Sequence, residues 1–362
     1  MWKFGKRLRH NACVNQSIST RRPAGTNSAQ MKDVAELAGV SISTVSHVLN
    51  NTRPVAESTR SRVLEIMRQL NYYKNASGRR LARGRSDAFG LIISDVENPF
   101  FPEVIKNFEK AVVEVGFDTF LAPTNYDPIH ASNAVRRMIE NKVQGVAVLT
   151  SQLESSLIDQ LLTNDIPVVT LDGNKASRGR SNIRVDYSGG AKEAVEYLNQ
   201  MGHEHISFIT GPQNRLSART YKQAFIAALE QNHMPPAYCI EGDNTIEGGR
   251  TAMQAVLKEV PVPTAVICGN DFTAIGAVHA SSEVGIRVPG ELSIIGADDI
   301  SFARYSYPSL TTIRVPRDQL GKLACEALIR LMRSKRRLGN EYVLETHLIV
   351  RGSSGPASDR TN

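Results

Sequence analysis

The chain is poor in residues that cross-link or anchor proteins, with four cysteines and one tryptophan among 362 residues. Cys13, Cys239, Cys268 and Cys325 are widely separated and lack metal-ligand spacing, which argues against a disulfide framework or a structural metal. We expect reduced thiols, with Cys268 buried in a strand. No apolar run is long enough to cross a membrane, and residues 1–30 lack the apolar core of a secretory signal. These absences are typical of a cytoplasmic protein.

Motifs of catalysis are also missing. The chain has no Gly-x-Gly-x-x-Gly after a strand, no phosphate-binding loop ending in Gly-Lys-Ser/Thr, no His-Glu-x-x-His and no Gly-x-Ser-x-Gly. The segment His203-Glu204-His205 suggests a metal pair, but no third ligand accompanies it, so we interpret it as a structural turn before a strand. We therefore predict that the protein is not an enzyme and needs no cofactor.

Positive charge is concentrated at one end of the chain. The first 86 residues carry 16 Lys and Arg against 4 Asp and Glu, whereas the remainder carries 27 against 32. A basic module joined to a mildly acidic body suits phosphate binding, because each cation placed on a phosphate releases condensed counterions. A membrane-surface helix is a weaker interpretation, since the arginines between 79 and 85 flank only Leu81.

The pattern over residues 32–50 predicts two short helices separated by a glycine turn. Gly39 can supply a positive φ, and Ser41 can cap the second helix. The exposed face of that helix is small and polar near its start, which is the part of a recognition helix that reaches base edges. An ordinary helical hairpin fits the turn pattern equally well. The predicted DNA contacts in this segment are Ser41, Ile42, Ser43, Thr44, Ser46, His47 and Asn50.

The segment from Lys32 to Asn50 resembles, almost residue for residue, the N-terminal signature of the lactose-repressor and galactose-repressor family of bacterial transcription regulators. The similarity continues through a third helix and extends to about Gly352. Two positions depart from the family pattern. Ala56 stands where the family usually has a capping serine, which we expect to cost about 1 kcal/mol at the start of the third helix. Gly78 stands where the family usually has alanine.

The resemblance implies an N-terminal all-α helix-turn-helix DNA-binding domain with a hinge helix, and an α/β two-lobed, periplasmic-binding-protein-like effector domain with parallel sheets. We place the DNA-binding domain at 31–74, the hinge at 75–86 and the effector-binding and dimerisation domain at 87–352. Residues 1–30 are interpreted as a disordered basic extension or a mis-assigned start, and 353–362 as a disordered tail.

The hinge segment has a more specific implication. In the family it becomes a helix in the minor groove, where Leu81 matches a leucine that wedges into a central base step, and Asn75 matches a further DNA contact. An isolated helix of this length is marginal in water, so it would form when docked on DNA. A flexible linker is the alternative.

Apolar strand-like runs alternate with helical stretches in the body, which predicts parallel sheets covered on both faces. The strand candidates are residues 89–93, 117–121, 145–149, 168–171, 206–210, 265–268 and 292–295. We place one lobe near 88–186 and the other near 187–314, with the chain from Thr312 crossing back between them. Ligands bind open α/β sheets at the carboxyl ends of strands, and two facing sheets form a cleft.

Polar and aromatic residues follow several of these strands and match the family's effector site. The residues that match effector-binding positions of the family directly are Phe100, Phe101, Asp172, Asn270 and Asp298. The family's usual effector-binding arginine aligns with Tyr221, which leaves Arg219 as a substitute, and Asn244 occupies an often aromatic position. Carboxylates there accept hydrogen bonds from vicinal hydroxyls or ring nitrogens. We expect Asp271 to cap the next helix, and capping is also the alternative role for the carried-over polar residues.

We predict a sequence-specific transcription regulator, most often a repressor in this family, associated with the nucleoid in the cytoplasm. It is expected to bind a pseudo-palindromic operator as a homodimer or dimer-based tetramer, with no membrane partner. A small effector, a sugar or sugar derivative, is expected to control operator affinity. A periplasmic-type solute-binding protein shares the two-lobed body, but it would need a signal peptide and would lack the basic helical module. An enzyme of the sugar-processing kind is the third interpretation.

Overall fold

The computed structural model describes residues 29–72, 86–150 and 153–358 of the chain. The predicted DNA contacts Asn75 and Leu81, and almost all of the predicted hinge and N-terminal extension, lie outside these residues. The chain divides into two compact units, one ending at Gly78 and the other starting at Arg79. None of the helices in the described part is long and apolar enough to span a membrane.

The first unit contains three helices: α1 (Met31–Ala38), α2 (Ile42–Asn50) and α3 (Glu57–Gln69). Gly39 ends α1 with a φ of 61°, and the Ser41 hydroxyl caps α2 by accepting the amide of Thr44 at 3.1 Å, as predicted. One small core holds the helices together through Val34, Ala35, Ala38, Val45, Val48, Val63 and Tyr72.

The start of α3 lacks a side-chain cap. Ala56 occupies the N-cap position and supplies no side-chain hydrogen bond, as its methyl group requires. The helix is instead tied to the end of α2, because the Arg60 guanidinium donates to the Asn51 side chain at 2.8 Å. Asn51 is the left-handed residue that ends α2, with a φ of 52°. This bond therefore fixes α3 on the turn that follows the predicted recognition helix.

Lobe 1 of the second unit is a six-stranded parallel sheet covered by helices. Its strands are β1 (Ala88–Ile93), β2 (Asp118–Pro123), β3 (Val146–Leu149), β4 (Val168–Leu171), β5 (Arg180–Asp186) and β11 (Glu341–Glu345), in the order β11-β5-β4-β3-β1-β2. Its helices are α4 (Phe100–Glu114), α5 (Pro128–Glu140), α6 (Ser155–Thr163) and α11 (Arg317–Arg333). Along β1, Phe89, Leu91 and Ile93 face α4 and α11, whereas Ile92 packs with α5 and α6.

Lobe 2 repeats this architecture. Its strands are β6 (Ile206–Thr210), β7 (Cys239–Glu241), β8 (Ala265–Cys268), β9 (Ser293–Asp298), β10 (Thr311–Arg314) and β12 (His347–Ile349), in the order β12-β10-β9-β8-β6-β7. Its helices are α7 (Tyr187–Gln200), α8 (Leu216–Gln231), α9 (Ile246–Val256) and α10 (Asp271–Glu283), with a short 3₁₀ turn at Ser301–Arg304. The strand β12 is antiparallel to β10, and the other pairs are parallel.

The chain passes between the lobes three times, after β5, after β10 and between β11 and β12. The predicted parallel sheets and the predicted crossing of the C-terminal stretch are confirmed. All seven predicted strands are present, and Cys268 is buried in β8. The strands β5, β7, β10, β11 and β12 were not predicted, because polar residues interrupt or shorten their apolar runs.

The predicted disordered tail at 353–362 is wrong for residues 353–358, which pack on lobe 2. Ser353 is buried, its carbonyl accepts the amide of Ile294 at 2.8 Å, and its hydroxyl donates to the Ile294 carbonyl at 2.6 Å. The tail is ordered because its backbone and small hydroxyl groups complete the hydrogen bonds of β9.

His203 also contacts this tail. One ring nitrogen, Nδ1, lies 2.9 Å from the Thr264 hydroxyl, and the other, Nε2, lies 3.0 Å from the carbonyl of Gly355. Both nitrogens are thus used in hydrogen bonds within lobe 2, which confirms the structural interpretation of the His203-Glu204-His205 segment.

Candidate functional site

The start of α2 presents a small polar surface. Ile42 is 53% exposed and Ser43 is also exposed, whereas Val45 and Val48 face the core. Ser46 and His47 are half-buried on the intervening face. The arrangement leaves short side chains where a helix would approach base edges in a major groove.

Hydrogen bonds within the first unit orient several of these side chains. The hydroxyl of Ser41 lies 2.7 Å from that of Ser43 and 2.9 Å from that of Thr44. The His47 ring bonds through Nδ1 to the Thr52 hydroxyl at 2.8 Å, which leaves Nε2 as the ring nitrogen available to a base. In addition, the Asn50 amide donates to the Ser46 hydroxyl at 3.0 Å. The predicted reading residues therefore form one ordered surface on α2.

A cavity of about 130 Å³ lies at the carboxyl ends of the strands of both lobes. Of the predicted effector residues, six line it: Phe100, Phe101, Asp172, Asn244, Asn270 and Asp298. Strands and helices from both lobes contribute to its wall, so a ligand in it would touch both. This placement follows from parallel topology, because the loops after the strands meet at one edge of each sheet.

Two carboxyl groups enter this cavity with perturbed acidity. Desolvation raises the pKa of Asp172 to about 6, although hydrogen bonds from the Val185 amide and the Tyr187 side chain oppose the shift. Desolvation likewise raises the pKa of Asp298 to about 7 against the positive charge of Arg317. Both groups titrate close to neutral pH, so each can accept or donate a hydrogen bond to a ligand.

Aromatic rings form another part of the wall. Phe101 is buried in the core of lobe 1 and contacts the Phe100 ring edge-to-face, with centroids 5.2 Å apart. Tyr187 stacks on Tyr221 at 5.3 Å, and within the described residues the buried Tyr221 hydroxyl has no hydrogen-bond partner. Burial raises the pKa of Tyr221 well above its usual range, so this position offers a neutral hydroxyl where the family pattern has a cation.

Asn270 both caps a helix and supports the cavity. Its side-chain oxygen accepts the amide of Thr273 at 2.8 Å, and its amide group donates to the Asn244 carbonyl at 3.0 Å. The prediction that Asp271 caps α10 is therefore wrong. Asn270 is the extended residue before the helix, whereas the buried Asp271 carboxylate accepts the hydroxyl of Thr312 at 2.6 Å.

The structure does not bring Arg219 to the cavity. Arg219 is exposed and donates to the backbone carbonyl of Gln213 at 2.7 Å, away from the cavity. Arg215 lines the cavity instead, with its guanidinium carbon 3.8 Å from the centre of the Tyr126 ring. Sequence reasoning missed both members of this cation–π pair, although each lies in a loop after a strand, where the strand-end rule would have found it.

A helix-turn-helix unit in the same chain as a two-lobed α/β body with a polar cleft defines a DNA-binding regulator with an effector site. Residues 30–75 match the family model of bacterial regulatory proteins of the lacI family, and residues 195–354 match a periplasmic binding protein-like domain.

The chain belongs to the lacI family. It is 35% identical over 337 residues to the transcriptional repressor PurR of Klebsiella pneumoniae (strain 342), covering 91% of this chain and 99% of that relative. Among solved structures it is similar to the lac repressor dimer bound to operator and the anti-inducer ONPF, at 27% identity and a TM-score of 0.80 over 90% of this chain and 99% of the other. It is also similar to the complex of the transcriptional regulator CelR with cellobiose, at 27% identity and a TM-score of 0.68 over the same shares.

Membership of the lacI family confirms the predicted functional class. The protein is a DNA-binding transcriptional regulator of a repressor family with a small-molecule effector domain, and not an enzyme.

Proposed function

We propose that the protein is a homodimeric repressor, or a tetramer built from such dimers, whose operator affinity is set by a neutral sugar or sugar derivative in the cleft. The observation that carries this proposal is that Asp172 of lobe 1 and Asp298 of lobe 2 line one cavity beside the ring of Phe100.

The chemistry of the cavity suits a sugar. Vicinal hydroxyls can donate to the two carboxylates, and a C–H face of the ring can pack on Phe100. The Asn244 side-chain oxygen is buried without a partner in the described residues, so it offers a further acceptor. The two carboxyl groups in the cavity disfavour a strongly anionic ligand, and the Arg215 guanidinium over Tyr126 can donate hydrogen bonds to the oxygens of a neutral one. The similar CelR structure holds cellobiose, which supports this class.

On the DNA side, we propose that α2 enters the major groove and that the reading residues are those predicted from the sequence. The DNA-binding domain would comprise residues 31–74, with residues 75–86 as a hinge in which Leu81 is the minor-groove wedge and Asn75 a further contact. Two copies of the chain would read the halves of a pseudo-palindromic operator.

The effector can act on DNA binding only through its differential affinity for two states of the protein. A ligand that touches both lobes is suited to this role, because closing or opening the cleft changes its contacts. Such a ligand would change operator affinity without touching the DNA-binding domain.

Thermal unfolding of the full-length chain with small molecules tests the ligand class. We expect one or more of glucose, ribose and cellobiose to raise the melting temperature, because a ligand at 100 times its dissociation constant stabilises the folded state by about 2.7 kcal/mol. Asp298→Ala should remove the shift, and Asp159→Ala, an exposed aspartate on α6, should retain it. Stabilisation by nucleobases or sugar phosphates alone would contradict the sugar class.

A further inference from the structure

Arg317 is the first residue of α11, and its guanidinium is buried. All three of its nitrogens, Nε, Nη1 and Nη2, have hydrogen-bond partners. Its side chain is 7% exposed. Toward lobe 1, Nε and Nη2 lie 2.9 Å and 2.7 Å from one carboxylate oxygen of Glu103. Toward lobe 2, Nη1 donates to the carbonyl of Asp298 and Nη2 to the carbonyl of Asp299. A planar guanidinium can make all of these contacts together, whereas a lysine ammonium cannot.

The partners of Arg317 lie in different lobes. Glu103 is in the first turn of α4, the helix whose first residue, Phe100, lines the cleft. Asp298 is the last residue of β9 in the sheet of lobe 2. The helix α11 itself packs in the core of lobe 1 through Leu320 and other apolar residues. Arg317 therefore extends from lobe 1 to hold the ligand-facing end of a lobe 2 strand.

The backbone that Arg317 holds has an uncommon conformation. Asp298 has a φ of 105° and Asp299 a φ of 54°, both in the region that L-residues seldom adopt. Such residues persist when surrounding contacts fix them. The Asp299 carboxylate is paired with Arg351, and Arg317 binds the carbonyls of both aspartates. The direction of the Asp298 carboxyl group into the cavity thus depends on these charge-assisted bonds.

We propose that Arg317 is the positioning residue for Asp298, and that its ion pair with Glu103 links this ligand-facing strand end of lobe 2 to the start of α4 in lobe 1. A ligand that shifts Asp298 moves the carbonyls bound to Arg317, and through Glu103 it moves the helix that carries Phe100. The role in sensing a ligand rests on the proposed function of the cleft. The link between the lobes does not, so it is tested without any ligand.

Amide hydrogen exchange of the full-length, ligand-free protein tests the link. Glu103→Gln and Arg317→Lys are expected to speed exchange in residues 296–302 and in the first turn of α4 by about tenfold or more, as the loss of a charge-assisted hydrogen bond predicts. Exchange in α9, which contributes none of the groups that bind Arg317, should stay at the wild-type rate. The matched control is Glu283→Gln, which removes a partly exposed ion pair with Arg250 inside lobe 2 and should leave both segments unchanged.

The double variant decides whether the two residues act as one unit. If they do, Glu103→Gln with Arg317→Lys exchanges no faster at residues 296–302 than the faster single variant. Additive acceleration, or wild-type exchange at that segment in Glu103→Gln, would overturn the link. Equal acceleration in all peptides, including α9, would show a loss of global stability and would also overturn the positioning role.

A second measurement follows the Asp298 carboxyl group directly. In protein labelled with ¹³C at aspartate carboxyl carbons, the Asp298 resonance is assigned by its loss in Asp298→Asn. Its titration should move to higher pH in Arg317→Gln, because the opposing positive charge is removed, and should not move in Glu283→Gln. An unchanged Asp298 titration in Arg317→Gln would contradict the positioning role. Failure of every sugar to bind would refute the proposed ligand class while leaving both of these results intact.

Discussion

At the scale of single residues, the cleft keeps two carboxyl groups partly protonated near neutral pH. The folded chain raises the pKa of Asp298 to about 7 and that of Asp172 to about 6, from an ordinary value near 3.8. Between pH 4 and 7 the folded state therefore binds protons that the unfolded state has released. The free energy of unfolding consequently falls as the pH rises through this window, since both groups must ionise in a desolvated site.

The fall in the free energy of unfolding with rising pH gives a first prediction. Asp298→Asn removes one of the two titrating groups, so the decline in stability of the ligand-free protein between pH 5 and pH 8 should become shallower. Urea unfolding across that range measures it, with Asp159→Asn on the exposed face of α6 as the control. A decline as steep as that of the wild type would mean that Asp298 is already ionised at pH 5.

The proposed DNA-reading surface on α2 gives a second prediction at this scale. His47 keeps one ring nitrogen on Thr52 and presents the other, so His47→Ala should weaken binding to the preferred operator by about 1 to 3 kcal/mol if it contacts a base. Fluorescence anisotropy with a selected operator and with random duplex DNA measures the difference. Gln69→Ala, exposed at the end of α3, is the control. Equal losses on both duplexes would assign His47 to the DNA backbone.

Residue positions predicted from the sequence succeeded where the backbone decides the location and failed where a long side chain does. Asp172 and Asp298 have short side chains at strand ends, so topology alone brings them to the cleft. Arg219 was chosen as the arginine two residues before Tyr221, the position that aligns with the family's cation, yet its side chain turns outward to the carbonyl of Gln213. Arg215, one helical turn earlier, lies over the Tyr126 ring of lobe 1; the place of each residue after a strand is visible in the sequence, but their pairing across the lobes is not.

These two arginines form a matched pair for a third prediction. Arg215→Ala should reduce the thermal shift produced by whichever sugar stabilises the protein, because it removes a cleft group and the contact with Tyr126. Arg219→Ala should leave the shift unchanged, because its side chain is exposed and away from the cavity. The reverse result would mean that the ligand-bound cleft recruits Arg219.

At the scale of elements, lobe 2 depends on a close approach of α9 and α10. A Cβ added to Gly249 would lie 2.2 Å from the backbone oxygen of Thr273, and one added to Gly276 would lie 2.0 Å from that of Ile246. These neighbours are backbone atoms in packed helices, so they cannot rotate away. The packing of α9 on α10 therefore requires glycine at both positions because a side chain would not fit there. It does not depend on the conformational freedom of glycine.

The close approach predicts that Gly276→Ala destabilises the protein by about 1 to 3 kcal/mol, the range typical of overpacking. Gly290→Ala is the control, because its added Cβ would make an ordinary contact of 3.6 Å with Arg287. Urea unfolding of both variants measures the difference. Equal stability of the two variants would show that α9 and α10 can separate at little cost.

At the scale of the whole molecule, the apolar runs in the sequence predicted the central strands of both sheets. They did not predict the edge strand β11 or the ordered segment 353–358. Apolar runs such as β3 and β8 are buried on both faces and were found. The strand β11 alternates polar and apolar residues at the edge of its sheet, and the segment 353–358 is held by backbone and hydroxyl groups. Hydrogen bonds of this kind form between parts of the chain that only the assembled fold brings together. A local pattern of residues therefore does not predict them.

The last prediction concerns communication between the effector domain and operator binding. If the cleft ligand changes operator affinity by some factor, bound operator must change ligand affinity by the same factor. Asp298→Ala should abolish the ligand's effect while leaving operator affinity without ligand at the wild-type value, because it removes a proposed ligand contact and alters no residue of the helical unit. Operator titrations with and without the stabilising sugar test both statements, with unfolding curves confirming that the variant is folded. A folded Asp298→Ala protein that still responds fully would exclude Asp298 from the effector site, and a large change in its ligand-free operator affinity would mean that Asp298 itself sets the balance between the two states.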